Sequence, residues 1–149
     1  MATKDEGSTV AIGIAWEKDL TFKVSFEGLD VPSLRVDETN KIEADMIGVT
    51  PARLLASAVG SCLASSLMFC MSKRNVQLDT FTARAQARTG RDPDGRLRVQ
   101  EISVDLLPRT TDPAAIKRLA ECKKVFEKFC TVTESVRKGI KVVVNVVDE

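Results

Sequence analysis

A chain of 149 residues with 44% hydrophobic and 29% charged residues has the size and balance of one soluble domain. Its 22 Lys and Arg residues nearly match 21 Asp and Glu residues, so the net charge of +1 provides no field that would attract nucleic acid. The chain contains no histidine, which excludes Cys–His and Ser–His catalytic pairs and mixed His/Cys zinc sites. The remaining chemistry has to use Cys, carboxylates, Lys or Arg.

The first residues, MATKDEGST, are polar and lack the apolar stretch of a secretory signal. We therefore expect a cytoplasmic protein with one domain over residues 1–149, of which residues 1–8 are disordered. Four cysteines are too few for a structural disulfide framework, and cytoplasmic thiols are normally reduced. Any disulfide in this chain is therefore expected to be a working one.

The first half of the chain predicts strands at 9–15, 20–26 and 33–36, followed by a polar loop at 37–49. Thr50 and Pro51 then predict a helix start, because Thr caps free amides and Pro fits the first helical position. This helix should end near Arg74. Residues 54–71 are uncharged and reach the length of a membrane span, but their four serines and many small residues favour a helix buried in a protein core.

The second half predicts strands at 81–88, 97–106 and 140–147, and two helices that begin after Asp112 and after Cys130. The apolar stripe of the first of these helices consists of Ala115, Leu119, Cys122, Phe126 and Phe129. A phase change at Gln100 and Glu101 predicts a β-bulge. The run from Thr131 to Glu134 has the form of a capping box, and Gly139 is placed to end the last helix. The order ββ(β)-α-ββ-α-α-β indicates an α+β fold.

The four cysteines differ in their surroundings. Cys62 falls in the middle of the uncharged helix, where a cysteine most often packs as a small hydrophobe. Cys130 stands just before a predicted helix start, where free amides and the helix dipole favour the thiolate. Cys70 and Cys122 are expected to pack in the core. The four positions lack the short Cys-x₂₋₄-Cys pairs of zinc sites, so we predict no metal.

Two of these segments resemble motifs of the OsmC/Ohr superfamily. TPARLLASAVGSC, from Thr50 to Cys62, resembles the family's helix motif, in which a cysteine follows a proline by eleven positions. FCTVT at 129–133, which leads through Lys138 and Gly139 into the last predicted strand, resembles the family's C-terminal Cys-x-Val segment. The resemblance implies an OsmC-like α+β fold, in which strands pack around a long buried central helix. It further implies an intertwined homodimer with each active site at the subunit interface.

The same resemblance implies a thiol-dependent hydroperoxide reductase that uses neither metal nor organic cofactor. Cys62 would attack an organic or inorganic peroxide and become a sulfenic acid, and Cys130 would resolve it as a disulfide that a dithiol reductant reopens. The substrate is expected in a largely apolar interface pocket lined by residues such as Leu54, Val59 and Phe69.

One element of the family's site is missing from the helix motif. The family places an arginine near the thiolate and holds it with a glutamate one or two residues after the proline, where this chain has Ala52 and Arg53. Arg35, the only arginine before the helix, is the candidate thiolate partner, with a solvated strand-end charge as the alternative. Arg53 lies about half a turn around the helix from Cys62. The missing carboxylate leaves a second function open: a ligand-binding or redox-sensing protein without efficient peroxidase activity.

Overall fold

The structure is a computed structural model that describes residues 7–148, arranged in two compact units that divide after Leu54. The elements in chain order are β1 (Ile12–Lys18), β2 (Thr21–Phe26), β3 (Leu34–Asp37), α1 (Pro51–Lys73), β4 (Thr80–Arg91), β5 (Leu97–Arg109), α2 (Pro113–Lys123) and α3 (Thr131–Lys138), with 3-10 turns at Glu43–Asp45 and Phe126–Phe129. This order confirms the predicted α+β class. The predicted disorder of residues 1–8 falls largely outside the described residues, and the single domain over 1–149 stays a prediction.

The first unit contains a three-stranded antiparallel sheet in the order β1-β2-β3. The loop after β3 returns to that strand, since the amide of Val49 donates to the carbonyl of Arg35 and the amide of Asp37 donates to the carbonyl of Val49, both at 3.0 Å. The buried carboxylate of Asp37 accepts from the amides of Thr39 and Ile47 at 2.8 and 3.1 Å. The Thr39 hydroxyl and these amides lower the pKa of Asp37. The predicted irregular loop is therefore tied to β3.

The second unit contains the long antiparallel hairpin of β4 and β5. Arg88 pairs with Glu101 and the next residue, Thr89, pairs with Val99, so Gln100 is an extra residue in β5. The predicted bulge is confirmed at that point. Both strands extend beyond their predicted ends, and the turn between them uses Gly95 at a φ of 80°, which glycine adopts without strain.

Helix α1 begins at Pro51 as predicted, and the Thr50 hydroxyl accepts from the amide of Arg53 at 3.3 Å. Its buried face consists of Ala56, Val59, Gly60, Leu63, Leu67 and Met71. The helix is long and apolar enough to cross a membrane by length and composition, but these buried residues make it a core helix along one face. A Cβ at Gly60 would lie 3.1 Å from the Cβ of Ala85, so glycine permits the close approach of β4.

Helices α2 and α3 differ in detail from the predictions. Asp112 caps α2 by accepting from the amide of Ala114 at 3.0 Å, as predicted. The predicted continuation to Phe129 is wrong, because the chain tightens after Lys123 into i→i−3 hydrogen bonds and a 3-10 turn. Phe129 is 74% exposed instead of lying on the buried stripe.

The predicted capping box at Thr131 is also wrong. Cys130 is the N-cap residue of α3, Thr131 is already helical, and no side chain caps the helix start. Gly139, with a φ of 78°, ends α3 as predicted.

The predicted strand at 140–147 is absent from the described residues, which include no β-partner for it. A strand requires a neighbour for its backbone hydrogen bonds, and the sequence alternation cannot supply one. Ile140, Val142, Val143, Val144, Val146 and Val147 are between 62% and 90% exposed. A strongly apolar C-terminal segment is therefore left without cover by the described residues of the single chain.

Candidate functional site

The second unit brings Cys62 and Cys130 together. Cys62 lies midway along α1 and is partly exposed, whereas Cys130, at the start of α3, is completely buried. Both belong to one apolar cluster with Val59 and Leu63, against which Ile102 also packs. The two residues that the family resemblance assigns to the site are therefore neighbours, although 68 positions separate them in the sequence.

The environment of Cys130 favours its thiolate. Burial raises the pKa of this thiol, but hydrogen bonds from Cys62, Thr133 and Ser66 outweigh burial and hold the pKa below the ordinary 9.0. The neutral thiol of Cys130 donates to the Thr133 hydroxyl at 2.9 Å, and in the thiolate form this hydroxyl can rotate and donate to the sulfur. The lowered pKa of Cys130 agrees with the expectation from its place before a helix start, and these hydrogen bonds are its cause.

A cleft of about 780 Å³ opens beside Cys62. Its lining consists of Cys62, Ser65, Ser66, Phe69, Cys70, Lys73, Arg74, Val125, Phe129 and Thr131. The predicted lining residue Phe69 belongs to it, and the Lys73 ammonium lies 5.2 Å from the centre of the Phe69 ring. Val59 instead lines a separate cavity of about 440 Å³ with Leu55 and Val136, and Leu54 belongs to the first unit.

Cys70 and Cys122 form a disulfide between α1 and α2, with Cα atoms 5.9 Å apart. Both were expected to pack separately as hydrophobes; they do pack in the core, but they are bonded because α1 and α2 meet at these positions. Cys122 is completely buried and Cys70 is partly exposed at the cleft. Sequence reasoning missed this pair, although the equal spacing of eight between 62 and 70 and between 122 and 130 was available as a signal.

Within the first unit, Arg35 lies near the start of β3, is exposed to solvent and forms an ion pair with Glu17. Arg35 Nε donates to Glu17 Oε2 at 2.6 Å and Nη2 donates to Oε1 at 3.5 Å. The hydrogen bond from Arg35 lowers the pKa of Glu17. A Cβ at position 48 would collide with the Arg35 carbonyl. Gly48 has no Cβ, so the loop can pack closely on the backbone of β3 there. Arg53 instead pairs with Glu43 at 2.7 Å.

Glu17 was not identified from the sequence, because it stands 18 positions before Arg35 and on a different strand. The ion pair reaches across β2, which lies between β1 and β3, so predicting it would require the register of all three strands. The helix motif lacks the family's glutamate. Glu17 supplies a carboxylate partner for Arg35 from a different part of the chain.

Replacing Thr133 should raise the pKa of Cys130. Thr133→Val keeps the shape but removes the hydroxyl that stabilises the thiolate, so the first ionisation should move towards pH 9.0. Because the disulfide occupies Cys70 and Cys122, thiolate absorbance as a function of pH reports only Cys62 and Cys130.

The matched control is Thr131→Val, two residues earlier and exposed. An unchanged titration in Thr133→Val, or an equal shift in the control, would contradict the assignment. The free energy of unfolding should also depend on pH. Because the pKa of Cys130 is lower in the folded chain, its thiolate stabilises the fold at pH values above 9.0, and this contribution is lost as the pH falls through the folded-state pKa.

Residues 42–145 match the family model described as OsmC-like protein. The fold is similar to an OsmC-like protein of unknown function from Vibrio cholerae, with 13% identity, a TM-score of 0.69 and coverage of 87% of this chain and 94% of that one. An OsmC-like protein from Mycoplasma pneumoniae has 12% identity, a TM-score of 0.71 and coverages of 87% and 88%. The organic hydroperoxide resistance protein OhrB of Bacillus subtilis has 19% identity, a TM-score of 0.62 and coverages of 87% and 91%. No curated protein sequence matches the chain. The family match covers most of the chain and the solved structures share its architecture, so the protein belongs to the family of OsmC-like proteins.

Proposed function

We propose that the protein is a thiol-dependent hydroperoxide reductase in which Cys62 is the attacking thiol and Cys130 the resolving one. The observation that carries the proposal is the contact between a partly exposed cysteine at a cleft and a buried cysteine whose pKa is lowered. Family membership supports a peroxide-related activity, and one neighbour of similar fold is named for organic hydroperoxide resistance.

The reaction proceeds in two steps that balance. The Cys62 thiolate attacks the terminal oxygen of a hydroperoxide, the O–O bond breaks, and the alkoxide leaves and takes a proton to become an alcohol. Cys62 is then a sulfenic acid. The Cys130 thiolate attacks the Cys62 sulfur and displaces hydroxide, which is protonated to water, and a disulfide remains. A dithiol reductant returns two electrons to the pair and becomes a disulfide itself.

The hydrogen bond between the two sulfurs suits both steps. When Cys130 is ionised, the Cys62 thiol donates to it, so the pair shares one proton. Transfer of that proton to Cys130 produces the Cys62 thiolate, which is the nucleophile of the first step. A lowered pKa at Cys130 then favours its return to thiolate for the second step.

The cleft favours organic substrates. Phe69, Val125 and Phe129 contribute apolar surface beside Cys62, and an apolar cleft gains by burying the alkyl or aryl group of a hydroperoxide. Hydrogen peroxide has no such group and gains nothing from these contacts.

One equivalent of cumene hydroperoxide should convert the two free thiols into a Cys62–Cys130 disulfide within one turnover. Peptide mass spectrometry after rapid alkylation measures this directly. In Cys130→Ser, a sulfenic acid should accumulate on Cys62 and be trapped by dimedone, because no resolving thiol remains. In Cys62→Ser, the peroxide should be consumed no faster than in buffer.

The two variants serve as controls for each other. Unreacted Cys62 and Cys130 in the folded wild-type chain would rule out the reductase. They would favour the second candidate, an OsmC-fold ligand-binding or redox-sensing protein, for which the cleft of about 780 Å³ and the lack of the family's helix glutamate are the supporting observations.

Arg35 remains our candidate for the cation that stabilises the thiolate of the attacking cysteine. Its ion pair with Glu17 supports the proposal, because a paired guanidinium is held in one orientation. Arg35→Gln should slow sulfenic acid formation by about 10²-fold, as the loss of a single electrostatic contact to a reacting group does.

Stopped-flow measurement of hydroperoxide consumption checks the Arg35 effect. The control is Lys23→Gln, which removes the same charge from the residue paired with Arg35 in the neighbouring strand. Equal rates in Arg35→Gln and wild type would remove Arg35 from the mechanism.

We further propose that the protein functions as a homodimer in the cytoplasm. The apolar C-terminal residues 140–147 and the exposed α1 residues Met68 and Phe69 support a second copy as their cover. The family resemblance implies the same arrangement, with each site at the subunit interface.

Analytical ultracentrifugation should find a dimer for wild type and a monomer for the double substitution Val142→Asp and Val144→Asp. Buried carboxylates would oppose association, because an unpaired charge is costly away from water. Asn145→Asp, on the other face of the segment, should leave the dimer intact. A wild-type monomer at micromolar concentration, or a dimer that survives the double substitution, would contradict the proposal.

A further inference from the structure

The two cysteine pairs lie on the same two antiparallel segments. On α1, Cys62 precedes Cys70 by eight residues, and on the facing segment Cys122 precedes Cys130 by eight. Cys70 is bonded to Cys122, and Cys62 contacts Cys130. The disulfide therefore joins the segment to α1 at one end of an eight-residue stretch, and the free thiols meet at the other.

Residues 123–129, which we name the connector, join Cys122 to Cys130. The connector contains the end of α2 and the 3-10 turn Phe126–Phe129. Phe126 packs against both apolar clusters, and Val125 lines the cleft beside Cys62. The position of the connector therefore affects both the shape of the cleft and the place of Cys130.

Backbone length alone does not fix Cys130 beside Cys62. Eight residues can extend to about 27 Å, whereas the eight-residue separation along α1 is about 12 Å. The connector is thus longer than the distance that it has to span, and its position along α1 depends on packing and on the covalent bond at Cys122.

We propose that Cys70 and Cys122 form a second redox pair that regulates the first: their disulfide keeps the connector on α1 with Cys130 beside Cys62, and its reduction releases the connector and slows Cys62–Cys130 bond formation. The inference rests on the Cys62–Cys130 pairing of the proposed function and adds its regulation.

The effect follows from loop closure. Without the disulfide, the shortest chain path between Cys62 and Cys130 has 68 residues; through the disulfide, the path has 16. For a fully flexible chain, closure probability falls with about the 3/2 power of loop length, so the shorter path would favour the encounter of the two sulfurs roughly tenfold. The folded elements along both paths make this factor an upper limit.

Exposure determines which sulfur is attacked when the second pair opens. Cys70 lines the cleft and is partly exposed, whereas Cys122 is completely buried. The thiolate of a small dithiol attacks Cys70, and Cys122 leaves as a thiolate that takes a proton. The second thiol of the reductant then displaces Cys70, so two electrons reach the pair and the reductant becomes a disulfide.

Closing reverses this exchange with a low-molecular-weight disulfide as oxidant. The Cys70 thiolate attacks the small disulfide and releases one thiol. The Cys122 thiolate then attacks the mixed disulfide at Cys70 and releases the second thiol. The small disulfide thereby gains the two electrons that the protein pair loses.

The two pairs do not exchange with each other directly while α1 is intact. Cys62 and Cys70 are about 12 Å apart along the helix axis, and a disulfide requires Cα atoms within about 7 Å. The influence of one pair on the other therefore passes through the connector.

The test compares closed and open forms under one oxidant that does not depend on peroxide chemistry. Wild type with the Cys70–Cys122 disulfide intact is compared with fully reduced wild type, desalted without oxygen, and with the double variant Cys70→Ser and Cys122→Ser. Oxidised glutathione is added, samples are quenched by alkylation, and mass spectrometry measures the initial rate of Cys62–Cys130 bond formation. Because the same oxidant closes Cys70–Cys122, the rate of fully reduced wild type is taken from molecules whose Cys70 and Cys122 both still carry the alkyl label.

Both open forms should form the Cys62–Cys130 bond more slowly than the closed form, by a factor of up to about ten. Glu121→Gln is the control, because it removes the ion pair with Arg74, at 2.7 Å, that also links the end of α1 to α2, while it lies outside the lining of the cleft and leaves the disulfide in place. Its rate should stay near that of closed wild type. Circular dichroism verifies that each form is folded, and fully reduced wild type answers the question even if the double variant unfolds.

Three results would overturn the proposal. Equal rates in the folded closed and open forms would make the disulfide a structural link only. The other two are a Cys70–Cys122 bond that resists dithiothreitol in the folded chain, and a closed form that makes no Cys62–Cys130 bond. None of these depends on hydroperoxide. Failure of the proposed reductase would instead appear as a normal response to oxidised glutathione with no reaction towards cumene hydroperoxide.

Discussion

The uncharged surface of α1 has to be removed from water, and the single chain covers only one face of it. That face carries the residues from Ala56 to Met71 that contact the β4–β5 hairpin and the segments following it, and glycine at position 60 lets the hairpin approach closely. The cysteines at 62 and 70 flank the covered face, where they are partly buried and meet residues of the connecting segments. Burial of the helix therefore places Cys70 next to Cys122 and Cys62 next to Cys130.

The surroundings of the two free thiols separate access from ionisation. Cys62 borders the cleft, while Cys130 is enclosed and receives the hydrogen bonds that stabilise its thiolate. A single exposed thiolate would satisfy both requirements at once but would also react with any passing oxidant. In this chain the accessible sulfur and the sulfur with the lowered pKa are two different neighbours, so the stabilised thiolate is kept away from solvent.

Sequence patterns predicted the features that depend on local chain geometry. The caps at Thr50 and Asp112, the bulge at Gln100 and the glycine end of α3 each follow from a few adjacent residues. The family resemblance additionally predicted that Cys62 and Cys130 lie close together. The Cys70–Cys122 bond and the Arg35–Glu17 pair were not predicted, because each depends on the register between separate elements. The last strand failed for a related reason, since its alternation predicts a face but not a neighbour.

The exposed C-terminal segment has a consequence for how the chain matures. A valine-rich run without proline or glycine is the type of sequence that stacks into cross-β aggregates when its backbone is unpaired, and Lys141 is the one positive charge within it. A newly synthesised chain carries this hazard until something covers the segment. A second copy of the chain that covers it would also stabilise the fold by mass action, so the thermal midpoint of the protein should then rise with its concentration.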